Sequence, residues 1–166
     1  MPNNNQEMKY RRLTEEELKE VENQFVSFLA SNQVTADDWE KLKKESPDKA
    51  ERLIEIFSDV VFDKVLEDVE YLEFKTPKDL KTFHFLEDRA VMNGLKVEGE
   101  TQIDLTQAQS PQQLAQQLKL SGAKLKLYTA EKAYNTSRKM EMFYLMESGA
   151  LISRSGSLYK SLDKMK

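Results

Sequence analysis

Apolar side chains near the start of the chain recur at the spacing of an α-helix. They stand at Leu18, Val21, Phe25, Phe28 and Leu29. This spacing predicts one amphipathic helix over residues 15–31, which begins at a capping box formed by Thr14 and Glu17. A second, shorter helix is expected to begin after Thr35, and a third over residues 47–68, where a serine-proline pair is typical of a helix start.

Beyond residue 70 the apolar period shortens toward two, which is typical of β-strands. Short turns separate the first three of these segments, so they are expected to pair as an antiparallel meander. The predicted strands cover residues 71–75, 80–86, 89–97 and 124–128, and the later helices cover residues 112–119 and 137–148. Helices followed by a run of strands indicate an α+β fold. We expect N-terminal helices packed on a small, mostly antiparallel sheet, with a C-terminal helix.

The length of the chain, 166 residues, suits a domain of ordinary size. We therefore predict a single domain over residues 1–166. The change of apolar period near residue 70 allows a subdivision into a helical part, residues 1–68, and a mixed part, residues 69–166.

The third predicted helix carries more apolar side chains than one core-facing stripe requires. The expected stripe consists of Leu53, Ile54, Phe57, Val60, Val61 and Val65. Ile56, Phe62 and Leu66 lie off this stripe. Either the helix is central and buried on several sides, or this second set of side chains binds a partner protein or a second copy of the chain.

The same helix carries an acidic ridge, with one carboxylate every four residues. Its members are Glu51, Glu55, Asp59, Asp63 and Glu67. A solvated face, a cation site and a surface for a basic partner are all compatible with this spacing. One hypothesis is a metal-dependent hydrolase that uses Asp59 and Asp63. No histidine accompanies these carboxylates in the helix, so a di-iron site of the Glu-x-x-His type has no support. A solvated face is favoured, and we predict no metal site.

The composition leaves few groups for catalysis. The chain has no cysteine, which excludes disulfides, thiolate zinc sites and cysteine nucleophiles. His84 is the single histidine, on a predicted strand, where a structural role is favoured over that of a general base. The five glycines form no phosphate-binding loop, and no serine stands in a Gly-x-Ser-x-Gly motif. We predict no catalytic residue and no cofactor.

Charge is distributed unevenly along the chain, whose net charge is −4. Residues 1–75 hold 11 Lys/Arg against 19 Asp/Glu, whereas residues 76–166 hold 14 against 10. The basic half can attract the acidic half within one fold, or it can bind an acidic partner such as RNA. Candidate RNA-binding residues are Lys124, Lys126, Arg138 and Lys139.

The last long predicted helix is rich in methionine, with three Met residues and two aromatic residues between positions 139 and 146. Met is an ordinary core filler, but such soft surfaces also line partner-binding grooves. Met142 and Tyr144 are therefore candidate protein-binding residues, together with the surplus set on the third helix.

The N-terminal residues Met1–Arg12 are polar and lack the apolar core of a signal peptide, and residues 1–6 are expected to form a mobile tail. No run of 18 apolar residues occurs, so we expect no membrane span and a cytoplasmic location.

Three segments carry a resemblance to a known group of proteins: Lys9–Leu18, Thr35–Trp39 and Tyr71–Lys81. On these segments the chain resembles a family of uncharacterised bacterial cytoplasmic proteins of similar length. The resemblance covers most of the chain. It implies no activity and no functional residues, because none is assigned to that family.

The sequence favours a non-enzymatic protein-interaction or adaptor protein of the bacterial cytoplasm, which self-associates or binds another protein. An RNA- or ribosome-associated factor that uses the basic C-terminal half is the alternative. The metal-dependent hydrolase is the second alternative.

Overall fold

The computed structural model describes residues 7–166, and the tail predicted for residues 1–6 lies outside the described residues. The described chain is α+β, as predicted, and it forms two compact units, one up to Val65 and the other over Leu66–Lys166.

Four helices begin in the N-terminal part of the described chain: α1 (Glu15–Glu20), α2 (Glu22–Ser31), α3 (Ala36–Glu45) and α4 (Pro47–Asp68). The capping boxes of Thr14 and Thr35 are both formed, because each depends only on residues three positions apart. The prediction of one helix over residues 15–31 is wrong. Val21 leaves the helical conformation (φ −113°, ψ 28°) and separates α1 from α2. Its side chain packs against the hydrophobic core, so tertiary packing overrides the regular period.

Aromatic rings form the centre of the first unit. Phe25 on α2 contacts Phe57 on α4 at a centroid distance of 5.0 Å and meets the edge of Trp39 on α3 at 5.2 Å. Leu13, Leu29 and Ile54 complete the buried cluster. Offset and edge-on ring pairs add to the burial of apolar area, so these contacts hold the three helices together.

The second unit contains a five-stranded antiparallel sheet in the order β4-β3-β2-β1-β5. Its strands are β1 (Tyr71–Thr76), β2 (Asp79–Phe85), β3 (Arg89–Glu98), β4 (Lys124–Ala133) and β5 (Leu151–Ser153). The predicted meander is confirmed for β1 to β3. β4 continues five residues past the predicted end at Tyr128, and β5 adds a short strand beside β1.

Three further helices and one 3₁₀ turn complete this unit: a 3₁₀ turn (Leu105–Gln107), α5 (Pro111–Ser121), α6 (Arg138–Glu147) and α7 (Ser157–Lys164). A buried leucine cluster links one face of the sheet to α7, with Leu80 and Leu95 on the strands and Leu158 and Leu162 on the helix. Leu114 of α5 joins the same cluster. None of the helices over residues 7–166 is both long and apolar enough to cross a membrane.

Candidate protein-binding surface

β4 forms one edge of the sheet and is paired on one side only. It pairs with β3 along its whole length, from Glu98↔Lys124 to Arg89↔Ala133. Within residues 7–166 no strand pairs with its other side. Nine of its ten side chains are exposed, and Tyr128 is half-buried. Its outer side therefore presents a row of backbone N–H and C=O groups that remain available for pairing.

Two lysines face each other across β3 and β4. The register places Lys96 directly opposite Lys126, and both side chains are exposed. In the described part of the chain, neither ammonium group has a carboxylate within ion-pair distance. Like charges at directly opposed positions destabilise a sheet, by up to about 1 kcal/mol. This pair therefore favours a negatively charged group beside β4.

Tyr128 anchors the middle of β4. Its ring lies on Gly94 of β3 so closely that a Cβ at Gly94 would stand 2.1 Å from a ring atom. The phenol O–H donates to Asp79, which also accepts a 2.8 Å hydrogen bond from Lys81 Nζ. Burial, followed by the hydrogen bond to Asp79, holds the pKa of Tyr128 well above its usual value of 10. One face of this ring is thus occupied within the sheet, so a nucleic-acid base could not stack on that face.

An apolar groove of about 280 Å³ lies on the same face of the sheet, between its strands and α6. Its apolar lining includes Phe83, Phe85, Met92, Ala130 and Leu145. The register aligns Phe83, Met92 and Ala130 in one row across β2, β3 and β4. We call this cavity the apolar groove. Ala130 belongs both to the lining of the apolar groove and to the edge strand β4. The groove therefore opens beside the free edge of the sheet.

Tyr134 fixes one wall of the apolar groove. Its ring stacks on Phe85 with an interplanar angle of 6°, and its O–H donates to the carbonyl oxygens of Leu86 (2.6 Å) and Arg89 (2.8 Å). The wall is built from contacts within this unit, so the groove exists without a ligand.

The guanidinium of Arg138, a candidate RNA-binding residue, forms hydrogen bonds within the fold. Its guanidinium donates to the carbonyl oxygens of Leu66 (3.0 Å), Val69 (2.6 Å) and Phe85 (3.3 Å). It therefore binds backbone oxygens where α4 and β2 end. Lys139 is half-buried, whereas Lys124 and Lys126 are exposed on β4.

The surplus apolar set on α4 is only partly exposed. Leu66 is completely buried and Phe62 is half-buried, whereas Ile56 is 39% exposed. Val60, which was expected in the core, is 50% exposed. Ser58 explains the difference, because its Oγ accepts from Leu13 N (3.0 Å) and donates to Ile54 O (2.7 Å). A satisfied hydroxyl can be buried, so the buried face of α4 is rotated toward Ser58 and away from Val60.

On α6 the two candidate residues have opposite environments. Met142 is completely buried, whereas Tyr144 is 53% exposed. Leu66 and Met142 are therefore removed from the predicted protein-binding set, because neither side chain can contact a partner in this conformation. Ile56 and Tyr144 remain exposed.

The acidic ridge of α4 binds the chain's own N-terminal residues, which we call the N-terminal strap (residues 9–13). The backbone N–H groups of Lys9 and Tyr10 donate to the carboxylate of Asp59 at 2.8 and 3.0 Å. Asp63 accepts from Tyr10 Oη at 2.6 Å and from Lys9 Nζ at 3.1 Å. A basic segment thus covers much of the ridge, where charges complement each other.

The remaining contacts of the N-terminal strap involve Phe62, from the surplus apolar set, and Glu51, from the acidic ridge. The rings of Tyr10 and Phe62 lie 5.7 Å apart, and the Arg11 guanidinium lies 5.0 Å from the Phe62 ring centroid. Arg12 forms an ion pair with Glu51. Phe62 is therefore covered from within its own unit. Among the described residues no group of three or more His, Asp or Glu side chains has the arrangement of a metal site.

Arg11 also gives the first unit a dependence on pH. Its guanidinium donates to both carboxylate oxygens of Glu17, at 2.8 and 3.0 Å. These hydrogen bonds, reinforced by the backbone N–H of Thr14, lower the pKa of Glu17 from 4.5 to about 2.

Because the folded pKa is depressed, this carboxylate stabilises the fold fully above about pH 4.5, and its contribution is lost as the pH falls from there toward about 2. In urea titrations, Arg11→Gln should be less stable than wild type at neutral pH, and the difference should shrink across this window. A difference in stability between Arg11→Gln and wild type that stays constant down to about pH 2 contradicts this interpretation.

His84 lies in an aromatic cluster on the other face of the sheet from the groove. Its ring stacks on Tyr71 at 4.4 Å and meets the edge of Tyr159 at 5.4 Å. Its Nε2 lies 3.7 Å from a carboxylate oxygen of Glu70. Burial, which is the largest cause, raises the pKa of both tyrosines. The contacts of His84 are those of a packed side chain, and a catalytic role gains no support from them.

These features define an α+β protein with an open sheet edge, a basic cross-strand pair and an adjacent apolar groove. The chain belongs to a family of unknown function (DUF6495), which it matches over residues 8–166. This confirms the resemblance to an uncharacterised family. Comparison with curated proteins and with solved structures finds no match for the chain.

Proposed function

We propose that the protein is a non-enzymatic interaction module that binds an extended segment of a partner protein along the outer side of β4. The observation that carries this proposal is the free ten-residue edge beside the apolar groove. Strand addition uses such an edge for backbone hydrogen bonds, and a neighbouring pocket provides specificity. The cytoplasmic location predicted from the sequence belongs to the same proposal.

Charge favours a different protein over a second copy of this chain. A symmetric antiparallel pair of β4 strands must keep each face of the sheet continuous. In a register centred on Tyr128, Lys124 of one copy faces Lys132 of the other. In a register centred on Thr129, Lys126 faces Lys132. Among the registers that keep each face continuous, these are the two in which the two ten-residue strands overlap most fully, and both oppose lysines, which is unfavourable. A partner with acidic residues therefore fits the full length of this edge better.

A protein partner also fits the surface better than RNA does. Arg138 is engaged by backbone carbonyl groups, and one face of the Tyr128 ring lies on Gly94. The apolar groove offers little to a phosphate backbone but can take an apolar side chain of an added strand.

The test begins with a displayed library of 12-residue peptides selected against the full chain. Selected peptides are expected to slow amide hydrogen exchange within residues 124–133, because strand addition pairs the outward N–H groups of β4. Binding to a single-stranded uridine 20-mer is measured in parallel over a range of salt concentrations.

Two matched variants test the contribution of the groove. Ala130→Glu places a carboxylate at its rim, whereas Ala133→Glu makes the same change on the same strand at a residue that does not line it. We expect Ala130→Glu to weaken peptide binding by about tenfold and Ala133→Glu to change it by less than about twofold.

Three outcomes would reject the proposal. The first is that no selected peptide protects β4. The second is that both variants weaken binding equally. The third is salt-sensitive uridine binding that is tighter than the binding of any selected peptide, which would favour the RNA alternative.

A further inference from the structure

Rows of neighbouring side chains run across the sheet and end at β4. The character of each row indicates which type of residue would fit next to it in an added strand. In an antiparallel sheet, directly opposed residues share a face and their side chains contact each other. Each exposed residue of β4 therefore specifies the chemistry of the residue that faces it in an added strand. This inference rests on the proposed function, because it assumes that a strand is added there.

On the face of the sheet that carries the apolar groove, the rows change from charged near the start of β4 to apolar farther along the strand. The row that ends at Lys126 contains Lys96 and Asp79, and the Asp79 carboxylate is engaged by Lys81 and Tyr128. An acidic residue should therefore face Lys126. The row that ends at Ala130 contains Phe83 and Met92 and borders the apolar groove, so an apolar residue should face Ala130.

On the opposite face, the rows toward the start of β4 are apolar. Leu127 continues the row of the buried residues Leu80 and Leu95, and Leu125 stands opposite the buried Val97. Both leucines remain more than a third exposed, at 38% and 36%. Apolar residues facing them would complete their burial, which is favourable.

The remaining positions follow from the same register. Thr129 donates to Met92 O and contacts Asn93, so its row is polar. Glu131 forms an ion pair with Arg89 at 3.5 Å, but its side chain is exposed, so a basic residue is favoured opposite it. Lys124 and Lys132 each favour an acidic residue. Antiparallel pairing is slightly more stable per residue than parallel pairing, and it sets the direction of the segment.

We propose that β4 selects an antiparallel segment with an acidic–basic–apolar–polar–any–apolar–acidic–apolar–acidic pattern, read from its N-terminus. The first residue faces Lys132 and the last faces Lys124. The partner is thus a protein with an exposed acidic and apolar strand-forming segment of about nine residues. A segment in which only charges alternate would not match this pattern, because the residue of the segment that faces Ala130 must be apolar.

The probe is a peptide, Glu-Lys-Val-Thr-Thr-Val-Glu-Val-Glu with blocked termini, tested against the full-length chain. Its matched control has the reversed sequence, with the same composition and net charge. Fluorescence anisotropy should show the forward peptide binding at least about fivefold more tightly, because reversal removes several favourable cross-strand pairs.

A charge exchange isolates one row of the pattern. Lys126→Glu should weaken the forward peptide by about fivefold, and a peptide with Lys at the position facing residue 126 should recover most of this loss. Lys44→Glu on α3 makes the same charge change outside β4 and should leave the preference unchanged.

The failure of this inference can be distinguished from failure of the proposed function. If library peptides protect residues 124–133 but the forward and reversed peptides bind equally, the pattern is wrong and strand addition stands. If the reversed peptide binds more tightly, the antiparallel direction is wrong. If no peptide protects β4, both proposals fail.

Discussion

Replacing Arg138 with methionine is expected to lower the free energy of unfolding by about 2–4 kcal/mol. The guanidinium donates to carbonyl oxygens of three buried residues, Leu66, Val69 and Phe85. The last carbonyl groups of a helix have no intrahelical partner, so Arg138 supplies what the end of α4 lacks. Methionine keeps much of the side-chain volume but leaves these oxygens without a donor and out of reach of water.

Two further variants make this prediction specific. Arg138→Lys keeps the charge but cannot reach three acceptors with a planar fork, so it should lose about half as much stability. Lys139→Met removes the neighbouring cation and leaves the three carbonyls paired, so it should cost less than about 1 kcal/mol. Guanidinium unfolding followed by circular dichroism measures all four proteins. Equal stability of Arg138→Met and wild type would show that the contacts contribute nothing.

A second large effect is expected for Gly156→Ala, a loss of about 2–4 kcal/mol. Gly156 has a φ of +66° at the start of α7, a conformation that costs a residue with a Cβ about 1–2 kcal/mol. An added Cβ would also stand 2.6 Å from the Tyr71 ring. That ring is held against His84 and Tyr159, so it cannot move without disturbing the cluster.

Gly122→Ala provides a matched control for the two causes. Gly122 has nearly the same backbone conformation, with a φ of +60°, but nothing lies within 4 Å of a Cβ placed there. It should lose only the backbone contribution, about 1–2 kcal/mol. The difference between the two variants in thermal and urea unfolding measures the cost of displacing Tyr71. If both variants lose the same stability, the ring contact is unimportant.

Local signals in the sequence predicted the local structure well. The capping box of Thr14 is formed as expected, and the second helix begins after Thr35 as expected, because such caps use residues only three positions apart. The antiparallel meander of β1 to β3 was predicted from the alternation of apolar and polar residues and from the short turns between these segments. The break at Val21 could not be predicted, because it depends on packing between helices that are distant in sequence.

The buried face of α4 shows why a polar residue can mislead a pattern analysis. Ser58 is polar and lies outside the expected core-facing stripe, yet the N–H of Leu13 and the carbonyl of Ile54 satisfy its hydroxyl inside the core. The donor lies 45 residues away, so no sequence window around α4 contains it. The N-terminal strap is likewise distant in sequence from α4. Its contacts with the acidic ridge and with Phe62 therefore could not be predicted from the sequence of α4.

The candidate surface was predicted in part. Lys124 and Lys126 were identified as exposed basic residues on a strand, but the opposition of Lys126 to Lys96 requires the register of β3 and β4. β4 was predicted to end at Tyr128, because the five residues that follow carry no large apolar side chain. The apolar groove was missed because its lining comes from three strands and a helix.

The pairing of Tyr71 with Ser153 has a consequence for synthesis of the protein. β1 is translated long before β5, so a nascent chain carries β1 with one bare flank until residues 151–153 have left the ribosome. A transcript cut short before Leu151 would yield a sheet with both flanks bare. Such fragments should aggregate in cells, because they lack the strand β5 that pairs with this flank of β1 in the finished chain.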